Sequence, residues 1–385
     1  MDQEELEALT KTLSSIYNFH KYQIEQIVKP RLLKYQSLTE EEKQLVPWYT
    51  KHTEDLKESI DLNRQFCQSL ALTIAQDWNV DTDVHQWSSA TGHEYEIVST
   101  TLLQLVRDWS DEGKAERELN YGKIIHELEL LFPDKSSRKD IKVLVPGCGL
   151  GRLVMELVLC GFWTQGNEIS YHMLLTSNYI LNHCQFPYSN SVFPFLFKSS
   201  HLVKRLFQVR PVAIPDLSPF VINELQTKEP EIPYHDLMSI TAGSFIDLYG
   251  LGSAGDASAT PFQESNANSF SVVVTSYFLD TASNIIDYLK TIYHCLKEEG
   301  YWINFGPLLW HFEGDLNSYQ QENGSISIKK GLELSREDLV ELIKTMGFEF
   351  IKHESNIETS YCRDIKSLGS FTFKCEFWVC RKIKV

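Results

Sequence analysis

No two cysteines in the 385-residue chain stand in C-x-x-C spacing; the eight, at 67, 148, 160, 184, 295, 362, 375 and 380, are scattered. That pattern disfavours a zinc site or a disulfide frame, so no metal is expected, and it reads as reduced, mostly buried thiols of an intracellular protein. No apolar run approaches the ~20 residues of a membrane span, so no membrane association is expected. Positive charge is short: 36 Lys and Arg face 52 Asp and Glu, a formal charge of −16. Contacts to phosphates need clustered cations, so nucleic acid is an unsuitable partner. The opening Met1-Asp2-Gln3-Glu4-Glu5 lacks the basic-then-apolar layout of a secretory leader, and the expected home is the cytoplasm, with nuclear residence also open. Internal repeats are missing too.

The chain is long enough for one large domain or two ordinary ones, and with 43% hydrophobic and 12% aromatic residues it can fill a sizeable core. It is organised around Lys142-Val143-Leu144-Val145-Pro146-Gly147-Cys148-Gly149-Leu150-Gly151-Arg152. A β-branched run ends in three glycines two residues apart, and an apolar helical pattern follows. Glycine lets the backbone turn sharply and lets a ligand sit on it, and the helix that opens there offers free N–H groups. Strand, Gly-rich turn and helix are the opening unit of a nucleotide-binding α/β fold. The spacing is G-x-G-x-G, not the dinucleotide G-x-G-x-x-G, and fits the turn that cups S-adenosylmethionine in Rossmann-like methyltransferases; the alternative is a turn that holds nothing. Glu168 ends the next strand-like run, Phe162 to Glu168. An acidic residue roughly 20 positions past such a turn commonly binds the ribose hydroxyls, because a carboxylate accepts two hydrogen bonds at once. The alternative is a solvated loop glutamate.

Before this core the apolar spacing predicts helices over 4–29, 53–78, 93–111 and 114–131, with Pro30 as a break and a short helix opened by a Thr39–Glu42 capping box. Residues 1–135 therefore form an all-helical N-terminal region, and 136–385 the α/β part. Strands are expected near 142–146, 162–168, 211–215, 271–276, 300–306, 348–353 and 373–381, and helices near 151–160, 170–183, 281–297 and 335–346. Alternation of the two predicts a mostly parallel, doubly wound sheet, with ligands at the carboxyl ends of its strands. Residues 185–240 and 250–269 read as insertions, the second Gly-, Ser- and Asn-rich and mobile in expectation.

Three further groups draw attention. A buried strand ends at Ser276, and Asp280 lies just ahead of a helix, where it is either functional or a helix cap. His311 follows the strand that stops at Gly306-Pro307, in apolar company, and is either structural or catalytic. Gln104 and Arg107, three apart, share one helix side away from the Leu102–Leu105–Trp109 stripe. That side is either a solvated face or a cover for the nucleotide pocket, with Arg107 gripping a carboxylate by its two-pronged guanidinium.

Val-Pro-Gly-Cys-Gly-Leu-Gly-Arg-Leu (145–153), Gly-Asn-Glu (166–168), Phe-Leu-Asp-Thr-Ala (278–282), Ile-Ile-Asp-Tyr (285–288), Trp-Ile-Asn-Phe-Gly-Pro-Leu-Leu-Trp-His-Phe (302–312) and Val-Arg-Asp-Trp-Ser (106–110) together resemble the carnosine N-methyltransferase family. The resemblance spans roughly residues 90–382, is weaker before 90 and is absent in 250–269. It implies transfer of a methyl group from S-adenosylmethionine to an imidazole nitrogen of a histidine-containing dipeptide, carnosine becoming anserine. It also implies a Rossmann-like domain, a helical N-terminal region packed on it that closes over the cofactor site, and a homodimer. By position it assigns Gln104, Arg107, Gly147, Gly149, Gly151, Arg152, Glu168, Phe245 and Ser276 to the cofactor, and Asp280, His311, Tyr361, Phe371 and Phe373 to the substrate, Asp280 and His311 being catalytic.

Four positions depart from the family pattern. Ser244 replaces an Asp that contacts the adenine amino group, which Ser serves only weakly. Ser276 stands for Cys. Phe371 and Phe373 stand for tyrosines, which keeps an aromatic wall and deletes hydroxyls, a change that can re-rank substrates. On this reading Asp280 accepts the N–H of the non-reacting ring nitrogen and fixes the tautomer, His311 assists in positioning, Tyr361 holds the polar tail, and aromatics at 305, 310, 312, 371 and 373 stack on the ring. Two alternatives remain: methylation of histidine within a peptide or protein, and binding of S-adenosylmethionine without catalysis.

Overall fold

The structure, a computed structural model, describes residues 3–251, 260–314, 318–320, 326–328 and 331–384. The chain divides into two compact units, and each is built from separated stretches. Unit 1 comprises Met1–Arg117, Tyr171–Val221 and Ser360–Phe371; unit 2 comprises Glu118–Ser170, Ile222–Thr359 and Thr372–Val385. The linear division at 135/136 expected from sequence is therefore not the division by contact.

Unit 2 is centred on a seven-stranded sheet: β1 (Lys142–Pro146), β2 (Trp163–Glu168), β3 (Met238–Ala242), β4 (Phe270–Ser276), β5 (Leu296–Gly306), β6 (Phe348–Thr359) and β7 (Phe373–Lys382). Their spatial order is β6-β7-β5-β4-β1-β2-β3. β1 pairs in parallel with β2 and β4, β2 with β3 and β4 with β5, whereas β7 runs antiparallel to both β5 and β6. The chain leaves β1 toward β2 on one side and returns to β4 on the other, so the crevice between β1 and β4 is the switch point where such sheets bind ligands. Near-continuous apolar strands such as Val143 to Val145 fit a sheet covered on both faces. Leu144, Val273, Trp302 and Trp378 feed one core; Val143, Val145, Val274, Phe305 and Phe377 feed the other.

In chain order the principal helices are α1 (Gln3–Gln23), α2 (Tyr49–Asp77), α3 (Gly92–Trp109), α4 (Lys114–Leu131), α5 (Arg152–Leu159), α6 (Tyr171–His183), α7 (Ile285–Cys295) and α8 (Arg336–Thr345). Within unit 2, Tyr121, Ile124 and Leu128 of α4 join the second core. Unit 1 holds α1, α2, α3 and α6. Its interior includes a cluster of Ile27, Val28, Leu56, Ile60, Phe193, Leu196 and Val209, and a buried contact of 2.9 Å between Ser15 Oγ and His172 Nε2.

Several expectations need correction. Pro30 does not break the first helix. A π-turn over Ile24–Val28 carries the chain into a further helix, Lys29–Gln36, with Pro30 in its first turn. Residues 211–215 do not join the main sheet; Val212–Ile214 pairs with Asn190–Val192 as a separate ladder in unit 1. The sheet's edge strand is instead β3, inside the presumed 185–240 insertion. It is short and half-buried, so its apolar signal is weak. Of the 250–269 segment, 252–259 lies outside the described residues, and Pro261–Asn266 is a helix opened by a Thr260–Gln263 capping box.

Candidate active site

The three glycines sit between β1 and α5 with φ of +63° at Gly147, +55° at Gly149 and +76° at Gly151. That is a conformation side-chain-bearing residues avoid. A Cβ on Gly147 would lie 2.3 Å from Cδ2 of Phe278, so the absence of a side chain lets the segment after β4 close on the loop. A Cβ on Gly149 would meet nothing within 4 Å. The loop is thus packed underneath at Gly147 and open at Gly149, which is the shape a backbone cradle for a ligand requires.

Glu168 holds this loop. Its Oε2 accepts the Gly149 N–H at 2.9 Å, and its Oε1 accepts the Ile169 and Ser170 N–H groups, each at 2.9 Å. Burial pushes its carboxyl above the ordinary glutamate range, and the three N–H donors pull the other way. Three of the roughly four acceptor positions on the carboxylate are therefore taken by backbone. Binding both ribose hydroxyls, as the sequence suggested, needs more acceptor capacity than is left; what remains is one position on Oε2. Arg152, first in α5, is buried and donates through Nε to Glu156 Oε1 at 2.7 Å.

Beyond β3, Ser244 caps the short helix Phe245–Tyr249 by accepting the Asp247 N–H at 3.4 Å. Phe245 is buried and meets Phe278 and Tyr288 edge-on, at centroid distances of 5.6 and 5.7 Å, while Phe278 and Tyr288 stack at 4.7 Å. This aromatic triad borders the loop through Phe278. Tyr288 joins it from α7, a role the sequence reading did not assign.

β4 ends at Ser276, whose Oγ accepts Nδ2 of Asn120, a residue of α4, at 2.9 Å. Tyr277 follows with φ +51°, an uncommon value for a side-chain-bearing residue. Its N–H bonds Phe305 O at 2.8 Å, and its backbone lies 3.1 Å from where a Gly306 Cβ would stand. This reversal sends Phe278 to the loop and Asp280 into a short 3-10 turn, Leu279–Thr281. Asp280 does not cap α7: Asn284 does, accepting the Ile286 N–H at 3.2 Å. Asp280 is buried, and desolvation pushes its carboxyl up to about 6, with the nearby His311 and the backbone N–H groups of Asp280 and Leu309 opposing that rise. The His311 N–H bonds Asp280 O at 2.9 Å, and the His311 side chain is exposed.

The five aromatics do not make one wall. Phe305 lies in the core on one face of the sheet, and Trp310 in the other, its indole N–H on Leu334 O at 2.8 Å. Phe312 is exposed; Phe373 opens β7 and meets Tyr277 edge-on at 6.3 Å. Phe371 belongs to unit 1 and is largely exposed.

Gln104, Arg107 and Tyr361 come together within unit 1. The Gln104 amide donates to the Tyr361 hydroxyl, and the Arg107 guanidinium lies 4.7 Å from the Tyr361 ring centroid. The solvated-face reading fails for Arg107: its side chain is 5% exposed, with Nε on Glu116 Oε1 at 2.7 Å and an Nη on Asp108 Oδ1 at 2.8 Å. Glu116 also accepts Ser360 Oγ at 3.2 Å and the Cys362 N–H at 3.3 Å. Two buried carboxylates thus already share the fork that the sequence reading had assigned to a ligand.

A sheet running third, second, first, fourth, fifth, seventh, sixth, with only the seventh strand inverted, is a doubly wound Rossmann-like sheet with the open glycine loop at its switch point, and the family that residues 84–384 match makes it that of an S-adenosylmethionine-dependent methyltransferase. Residues 84–384 match the family described as carnosine N-methyltransferase. Over 99% of its length the chain is 35% identical to the carnosine N-methyltransferase of Schizosaccharomyces pombe and covers 97% of that protein. It is 31% identical to that of Mus musculus over 90% of this chain and 79% of the relative, and 30% identical to that of Dictyostelium discoideum over 97% and 76%. The chain belongs to the carnosine N-methyltransferase family. The similarity reaches well before residue 90, further than the motifs alone indicated.

Proposed function

We propose that the protein methylates an imidazole nitrogen of a histidine-containing dipeptide, converting carnosine to anserine. The observation that carries the reading is Asp280: a buried carboxyl poised near 6, two residues beyond the Phe278 ring that packs on the glycine loop. S-adenosylmethionine, when bound, supplies a methyl group on a sulfonium, and the open backbone at Gly149 and the unfilled acceptor position on Glu168 suit such a ligand.

The chain's own residues then have two tasks, alignment and charge. Transfer is in-line, so the ring nitrogen must present its lone pair along one axis with water excluded. At neutral pH Asp280 is largely ionised and accepts the N–H of the non-reacting nitrogen, which selects the tautomer and aims the other lone pair. As that nitrogen gains the methyl group the ring becomes cationic, and the same carboxylate stabilises it in a desolvated setting where the interaction is strong. His311, whose backbone is tied to Asp280, places its exposed imidazole beside the dipeptide, and Phe373 completes its surroundings. Cofactor contacts through Arg152, Ser244, Phe245 and Ser276, homodimeric assembly, and a cytoplasmic or nuclear home belong to the same proposal.

Methyl-labelled S-adenosylmethionine offered with carnosine, homocarnosine, Gly-His and free histidine, read by mass spectrometry, tests it. Label on the ring of carnosine, lost in Asp280→Asn, is the expected result. No label on any imidazole would overturn the reading.

A further inference from the structure

Asn120 carries an unused hydrogen-bonding atom in the interior of unit 2. The residue is fully buried, its Nδ2 is committed to Ser276 Oγ at 2.9 Å, and its Oδ1 has no partner. Buried polar atoms are nearly always paired, and an orphaned carbonyl oxygen in a folded protein calls for a donor that arrives from outside. Its position says which donor. Ser276 ends β4, on one side of the glycine loop; Glu168 and Ser244, which end β2 and follow β3, lie on the other. A ligand laid across the loop with its nucleoside toward β2 and β3 brings its opposite, amino-acid end to β4. That end bears an ammonium group, and Oδ1 can only accept.

We propose that Asn120 is a cofactor-binding residue whose amide oxygen takes the α-ammonium group of S-adenosylmethionine while its amide nitrogen holds the Ser276 hydroxyl in place. The inference rests on the methyl-donor reading above and deepens it, by naming a contact that neither the glycine motif nor the family resemblance pointed to. It also gives Ser276 a part in the site: the hydroxyl is the anchor that keeps the amide facing one way.

The test uses two ligands that differ only at the amino-acid end. S-adenosylhomocysteine has the ammonium and carboxylate; 5′-methylthioadenosine keeps the nucleoside and the sulfur and lacks both. Isothermal titration of the full chain and of Asn120→Ala should show S-adenosylhomocysteine weakened on the order of tenfold or more, as expected for loss of a charge-assisted hydrogen bond. Binding of 5′-methylthioadenosine should stay within about twofold. Asn120→Asp keeps an acceptor and should retain S-adenosylhomocysteine binding. Equal weakening of both ligands, no weakening of either, or loss in Asn120→Asp as deep as in Asn120→Ala would overturn the assignment. Should Asn120→Ala fail to fold, Asn120→Leu, close to Asn in volume and without an acceptor, takes its place with the same expected and overturning results. Wild-type protein that binds neither ligand takes down the methyl-donor reading as well, whereas wild-type binding without discrimination in the variants removes only the role of Asn120.

Discussion

The ring of Phe278 occupies the space that a side chain on Gly147 would need: the nearest ring carbon would stand 2.3 Å from the new Cβ. Two segments 131 positions apart in sequence are therefore fitted to each other with a glycine as the gap. Gly147→Ala adds backbone strain of roughly 1–2 kcal/mol at its positive φ and drives the ring away. The prediction is a severe loss of S-adenosylhomocysteine affinity by calorimetry, part of which returns in the Gly147→Ala/Phe278→Ala double variant. Equal affinity in the single and double variants would show that the ring is not what the glycine accommodates.

Asp280 sets a pH limit on the reaction. Its carboxyl, pushed up to about 6, is an acceptor above that value and a neutral acid below it. The free imidazole of the substrate protonates near 6.5 and is then no nucleophile. Both losses act on kcat/KM, which reports free enzyme and free substrate. The plot of log kcat/KM against pH should therefore fall toward acid with a slope that steepens past one and approaches two below about pH 5.5. A slope that stays at one would mean that only the substrate titrates.

The same carboxyl should cost stability. A group raised from 3.8 to about 6 on folding binds its proton more tightly in the native state. Stability is therefore lost as pH rises between those values, and the ionised form burdens the fold by at most roughly 3 kcal/mol at neutral pH. Asp280→Asn should raise the unfolding midpoint at pH 7.5, give little or no gain near pH 4, and abolish turnover. Thermal unfolding at the two pH values checks it, and a variant destabilised at neutral pH would point to a structural role.

Arg107 is expected to behave as a buried cation. With Glu116 and Asp108 on its guanidinium and 5% of the side chain exposed, Arg107→Ala leaves two buried carboxylates without their cation. Breaking such a pair costs about 3–5 kcal/mol. Denaturant unfolding should show a loss of that size, and Glu116→Gln placed in the same variant should recover part of it. A change under about 0.5 kcal/mol, the range of ordinary surface substitutions, would return Arg107 to a solvated face.

The legible parts of the molecule were those with a local signal. Apolar β-branched runs located β1 and β4, helical periodicity located α4 and α6, and three alternating glycines marked the cradle. Thr39 and Glu42 announced their capping box. What escaped notice depends on tertiary pairing. β3 is a five-residue, half-exposed edge strand whose composition hardly differs from a loop's. Asn120 reads as one polar position on an amphipathic helix until Ser276 is brought beside it. Tyr277 owes its positive φ to the closing of β5 against it. Glu168 was found for its spacing, yet its bonds to three backbone N–H groups could not be counted from sequence. Arg107 was noticed for its charge, but the carboxylate nine residues on, which claims it, was not.

The alternating threading of the chain through its two units limits how the gene can be divided. Unit 1 draws on Met1–Arg117, Tyr171–Val221 and Ser360–Phe371, so no single cut releases either unit whole. A truncation that removes the N-terminal helices leaves α6 and the strip at Ser360–Phe371 without their packing partners. The protein is thus neither a catalytic domain with a detachable accessory nor a cassette that recombination can lift out intact. Its helices and its sheet are encoded in interleaved stretches, and no one boundary in the gene sets them apart.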